Sequence, residues 1–112
     1  MAIHDAIVHN LEQRLIDSPM DYDVIGSCLE YRVRGKFGEC DLFAVSHTRA
    51  LLIEVKGLDK KLSRLKAYSQ LDKDVTWITE KYNFVNRIYT FYAYSSSKRD
   101  DYTIMRVNTI RI

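Results

Sequence analysis

Hydrophobic positions recur at two periods along this chain, and the switches between them divide it into helices and strands. From Ala2 to Asp17, Ile3, Ile7, Val8, Leu11 and Leu15 fall at helical spacing and Pro19 follows as a stop, which predicts an amphipathic helix. Tyr22 to Arg34 alternates loosely and predicts a strand, with Gly26 as the place where it bends. Two apolar runs follow, Gly38-Glu39-Cys40-Asp41-Leu42-Phe43-Ala44 and Leu51-Leu52-Ile53-Glu54-Val55-Lys56-Gly57. Only the polar stretch from Ser46 to Ala50 separates them, so they predict an antiparallel hairpin. Asp59 to Tyr82 is rich in Lys, Leu, Arg, Ala and Gln, and reads as a helix with Leu62, Leu65, Tyr68 or Ser69, Asp72 and Val75 at helical spacing. Asn86 to Ser95 and Tyr102 to Ile112 are aromatic and β-branched, as strands are, and Ser95 to Asp101 is the conspicuous loop. The order α-β-β-β-α-β-β predicts an α/β fold: one domain over 1–112, with a central mixed β-sheet flanked by helices.

Composition supports that picture. A chain of 112 residues, 46% hydrophobic, is large enough for one core and too small for two. No apolar run reaches membrane-spanning length and the first residues are no signal sequence, so an intracellular, cytoplasmic protein without a membrane partner is expected. Compact size is compatible with a viral or mobile-element origin. Cys28 and Cys40 then read as reduced, buried thiols. His4, His9 and His47 are scattered without zinc-ligand spacing, which argues against a zinc site.

The hairpin carries charge where a buried strand should have none, and unpaired buried charge is costly. Strand parity puts Glu39, Asp41, Phe43 and Val45 on one face, and Leu52, Glu54 and Lys56 on one face of the second strand. Pairing the strands brings Asp41 alongside Glu54. Two close carboxylates repel, so one takes a proton unless a cation sits between them. A hard divalent ion such as Mg²⁺ suits an oxygen-rich site, with the Val55 carbonyl as a further donor and Lys56 placed to orient or help deprotonate a water bound to the ion.

These residues resemble the PD-(D/E)xK nuclease superfamily, in particular its small archaeal Holliday junction resolvase-like endonucleases. The resemblance rests on Gly38, Asp41, Leu42, Phe43 and Ala44, a short hairpin, and Leu52-Ile53-Glu54-Val55-Lys56, with a helix on either side, and it covers roughly Ile3 to Ile78. Cys40 stands where the family name has proline. The resemblance implies a restriction endonuclease-like core, metal binding by Asp41 and Glu54, a water-assisting role for Lys56, and Mg²⁺ as cofactor with Mn²⁺ able to substitute. It also directs attention to a glutamate on the first helix, for which Glu12 is the candidate, and to a glutamine on the second, Gln70, which would steady the lysine or contact DNA. Outside that role, Glu12 is a helix residue pairing with a neighbour and Gln70 an ordinary helix former.

Net charge adds little, since +2 is far from a strongly basic balance. Its distribution says more: Arg32, Arg34 and Lys36 precede the hairpin, and Lys60, Lys61, Arg64 and Lys66 follow it. Arg34, Lys36, Lys60, Lys61 and Arg64 are therefore the expected phosphate contacts, although a solvated helix face is the usual use of such a run. Tyr89, Phe91, Tyr92 and Tyr94 invite stacking on unpaired bases, although sheet packing is the ordinary role of aromatic strand residues. The expected function is a metal-dependent DNA endonuclease, resolvase-like or otherwise selective for branched DNA. The alternative is a non-catalytic DNA-binding or assembly module in which Glu54 and Lys56 form an internal ion pair. Cutting two strands symmetrically would require a C₂ homodimer, to which the last strand, with Ile104, Val107, Ile110 and Ile112, would contribute either an interface or merely a monomer edge.

Overall fold

Why the sheet is mixed follows from where the second helix falls in the chain. A computed structural model describes residues 3–95 and 101–112; most of the loop expected over Ser95–Asp101, residues 96–100, lies outside the described residues. The elements are α1 (Ile3–Ile16), β1 (Val24–Val33), β2 (Lys36–Ser46), β3 (Arg49–Lys56), α2 (Lys61–Lys81), β4 (Arg87–Ser95) and β5 (Tyr102–Arg111). In the sheet the strands keep their chain order, β1-β2-β3-β4-β5. Tight turns make β1–β2 and β2–β3 antiparallel, β4–β5 is antiparallel as well, and the crossover through α2 makes β3 and β4 parallel. The chain is thus a single compact α/β domain in the element order its sequence predicts.

Turn chemistry fixes the hairpin registers. Val33 pairs with Lys36 around Arg34 and Gly35, both at positive φ (51° and 76°), the left-handed pair that a two-residue hairpin requires. His47, at φ 55° in the next turn, is held there by its N–H donating to Asp23 Oδ2 at 3.0 Å. The bend expected at Gly26 falls elsewhere: the left-handed residue of β1 is Cys28 (φ 49°). Gly26 has a different purpose, because a Cβ there would sit 2.4 Å from the Phe43 ring.

Each face of the sheet has its own core. On one face α2 contributes Leu71, Trp77 and Ile78 against Tyr31, Cys40, Phe43 and Leu52; on the other α1 contributes Ile7, Val8 and Leu11 against Leu42, Ile53, Val55 and Ala93. That double cover explains why β3 reads as a nearly unbroken apolar run. The face that α2 buries matches the predicted one only in part: Tyr68 and Val75 pack against the core, but the other expected positions do not. Leu62 and Leu65 are 62% and 55% exposed and Asp72 is exposed, whereas Ala67, Leu71, Asp74, Trp77 and Ile78 are buried. Trp77 sets this rotation by stacking on Tyr31 (centroids 4.8 Å, 13°) and meeting Phe43 edge-on (5.1 Å, 85°). Among the described residues, no helix is long and apolar enough to cross a membrane.

Candidate active site

The β2–β3 ladder runs from Ser46↔Arg49 to Leu42↔Ile53 and stops there. At the next position the strands part, and the Val55 N–H donates to Asp41 Oδ2 at 2.9 Å rather than to a ladder carbonyl. The N–H and C=O of a strand residue point toward the same neighbouring strand, so strand geometry directs the Val55 carbonyl into the same gap. Strict alternation along β2 also fails here. Cys40 and Phe43 differ in parity yet pack in the same core on the α2 side, so the single face expected for Glu39, Asp41, Phe43 and Val45 is broken between them. Opposite this slip, Cys28 occupies its left-handed conformation between the pairs Ser27↔Leu42 and Leu29↔Cys40.

The opening forms a cleft of about 390 Å³ lined by Asp41, Glu54 and Lys56 with His4, Gln70 and Lys73. Asp41 and Glu54 are each only 4% exposed, and Glu54 Oε2 is buried with no hydrogen-bond partner. Burial, and after it the charge of Asp41, push the Glu54 carboxyl up to about 10, against the weaker opposing pull of Lys56. Without a cation Glu54 therefore keeps a proton at neutral pH. Among the described residues, no ion pair joins Lys56 to either carboxylate.

Helix α1 brings His4, not Glu12, over this pair. His4 Nε2 lies 3.3 Å from Asp41 Oδ2, and its Nδ1 lies 3.1 Å from Asp5 Oδ1. Partial burial works to lower the pKa of His4, but the hydrogen bond to Asp5 and the charge of Asp41 outweigh it and raise the value. Glu12 sits two turns further on, about 12 Å along the helix axis. It is not among the residues lining the cleft, and its charge acts on the Cys28 thiol of β1. The sequence does carry a signal for His4: it precedes Ile7, Val8 and Leu11 at the spacing of their buried face.

Behind the cleft lies a carboxylate that sequence pattern does not single out. Asp74, fully buried on α2, accepts a hydrogen bond from the Tyr31 hydroxyl and one from Gln70 Nε2 (2.8 Å), while its Oδ2 has no partner. Burial raises its pKa to about 6 despite the opposing hydrogen bonds of Tyr31 and Gln70. Gln70 does reach the cleft, but its amide nitrogen is committed to Asp74 and Tyr31 (2.8 and 3.2 Å) rather than to the lysine. Space is tight at this point, since a Cβ on Gly38 would lie 2.5 Å from the Tyr31 ring. Gly38→Ala is expected to push Tyr31 off Asp74 and cost about 1–3 kcal/mol in urea denaturation. Gly57→Ala, whose added methyl would meet nothing within 4 Å, is the neutral control.

The basic residues divide into engaged and available groups. Arg34 Nε pairs with Glu80 at 2.8 Å, and Arg64 grips Asp59 through two contacts of 2.6 and 3.3 Å, so both arginines are committed to carboxylates as well as being expected phosphate contacts. Lys60 and Lys61 are exposed at the start of α2. Lys36 lines a shallow recess with Arg34, Asp72 and Lys73. Lys73, outside the basic clusters that flank the hairpin in the sequence, lines both this recess and the cleft and donates to the Phe37 carbonyl at 3.3 Å.

Among the described residues, no three His, Cys, Asp or Glu side chains are arranged to hold a metal ion. The cleft nevertheless offers two carboxylates, one of them with a buried oxygen that has no partner, and an open side. An all-oxygen set of this kind fits a hard divalent cation that keeps several of its waters. No family model matches the chain, and neither a curated protein nor a solved structure matches it.

Proposed function

We propose that this protein is a metal-dependent deoxyribonuclease that hydrolyses phosphodiester bonds at the Asp41–Glu54–Lys56 cleft. The observation that carries the reading is the pair of adjacent buried carboxylates at the place where the β2–β3 ladder opens, one of them with an unpaired oxygen and a strongly raised pKa. Asp41, Glu54 and the Val55 carbonyl would hold Mg²⁺, or Mn²⁺ in its place. When bound, the ion supplies charge neutralisation and Lewis acidity toward a phosphoryl oxygen and an attacking water. Asp41 is fixed for this by the Val55 N–H and by His4, which leaves little reorganisation at the moment of binding. Lys56, lining the same cleft, carries an ammonium able to hydrogen-bond the attacking water and to offset charge developing on the phosphate. Lys73, Lys36, Lys60 and Lys61 draw the DNA backbone toward the cleft in a salt-dependent way.

The non-catalytic alternative draws on a Glu54–Lys56 ion pair, and the two side chains are not paired. Branched DNA is the proposed substrate, and symmetric cutting of it requires a homodimer. The test is incubation of the purified protein with branched, linear duplex and single-stranded DNA in Mg²⁺, beside Asp41→Ala. Cleavage of at least one substrate, lowered about 100-fold or more in the variant, is the expected result. Cleavage by both proteins alike, or by neither, overturns the proposal.

A further inference from the structure

Helix α1 ends at Ile16 and leaves part of its side of the sheet uncovered. There the sheet forms an open groove of about 760 Å³, about twice the volume of the carboxylate cleft and within the range of ligand sites. Its floor includes Ala44 and Leu51, and its walls include Tyr89, Phe91, Arg49 and Arg106. The two ends of β3 separate the sites: Arg49 opens the strand at the groove and Lys56 closes it at the cleft, about 23 Å away at 3.3 Å per residue.

The aromatic run of β4 divides between the two faces of the sheet. Tyr92 is fully buried, against Tyr68, with its hydroxyl on Asp59, so it packs as strand aromatics ordinarily do. Tyr89 and Phe91 are only partly buried and border the groove. Arg106, exposed on β5 opposite Phe91, lies over both rings, 5.5 Å from the centroid of Tyr89 and 5.9 Å from that of Phe91. Neither Arg106 nor Arg49 enters an ion pair among the described residues. A hydrogen bond from Arg87, and then the charges of Arg87, Arg49 and Arg106, lower the pKa of Tyr89 against the opposing effect of burial. Asp21 is the acidic side of the lining.

We propose that this groove binds unpaired nucleic acid, with Tyr89 and Phe91 as stacking platforms for bases and Arg49 and Arg106 as contacts for the phosphates between them. Flat rings beside guanidinium groups that have no carboxylate partner among the described residues match a ligand whose flat faces alternate with negative charge. A duplex hides its base faces, so the rings favour a single strand. A second copy of this chain is disfavoured, because a two-fold contact would set the arginines of one groove against those of the other. The site needs no metal and does not depend on the hydrolytic reading of the cleft.

The test is fluorescence anisotropy in EDTA with a labelled oligothymidylate of roughly ten nucleotides, a length within the footprint of single-strand binding folds. The full chain is expected to bind it, with affinity falling as salt rises. Arg106→Gln and Tyr89→Ala are each expected to weaken binding about tenfold while thermal melts show the folded state intact; Arg106 is exposed, so its variant keeps the test valid if Tyr89→Ala fails to fold. Absence of binding, or binding unchanged in Arg106→Gln, overturns the proposal. So does equal competition by duplex of the same length or by polyglutamate, or a concentration-dependent dimer that Arg106→Gln dissociates.

Discussion

Glu54→Gln is expected to remain folded, to gain stability at neutral and alkaline pH, and to lose metal-dependent cleavage by about 100-fold or more. Glutamine has the shape of the protonated acid that the metal-free cleft favours, yet it cannot supply the negative charge that a cation needs. The carboxyl of Glu54 titrates near 4.5 in the ordinary state and at about 10 in the fold, so between those values the folded chain holds a proton that the unfolded chain has lost. Its contribution is fully present below about 4.5 and is lost as pH rises toward 10. Asp74, raised from 3.8 to about 6, acts with the same sign over that lower window. Urea midpoints from pH 6 to 9 should therefore fall for the unmodified protein and fall less for Glu54→Gln, in which the raised pKa of His4 still costs stability as pH rises. Mg²⁺ at pH 8 should restore the former and leave the latter unchanged, because only a state that binds the ion gains from it. A level profile for the unmodified protein would contradict this account of the cleft.

Trp77→Ala should cost about 3–5 kcal/mol and Leu71→Ala about 2–5 kcal/mol, large fractions of the stability of a domain this size. Leu62→Ala and Leu65→Ala should stay within about 0.5 kcal/mol, since both side chains are mostly in solvent. Thermal or urea unfolding of the four variants tests which face of α2 meets the sheet. Equal losses at Leu62 and Leu71 would mean that the helix turns a different face inward.

That rotation shows where the sequence is legible and where it is not. Element order, the β2–β3 hairpin and the meeting of Asp41 with Glu54 follow from local pattern, because turn residues and pairing register act over a few positions. The face of α2 depends on a distant partner. Leucines at 62 and 65 draw the eye, but the aromatic stack of Trp77 on Tyr31 and Phe43 turns the helix so that Ala67, Leu71, Asp74 and Ile78 point inward. The same rotation hides Asp74, a polar residue in a stripe sought among apolar ones. His4 reads as one of three histidines without zinc spacing, although its position relative to Ile7 and Leu11 already places it on the inner face of α1. Arg34 and Arg64 read as free cations because their partners, Glu80 and Asp59, are fixed only when the turns and α2 are in place.

The two cysteines differ in one respect that matters on the bench. Cys28 is exposed, while Cys40 is fully buried between β2 and α2, where burial raises its thiol pKa well above the ordinary value. A small alkylating reagent can reach the first sulfur in the native state and the second only when the layer behind Asp41 and Glu54 comes apart. Mass spectrometry of the unmodified chain would resolve one label from two, so Cys28 serves as the internal standard and Cys40 as the clock for the opening of that layer.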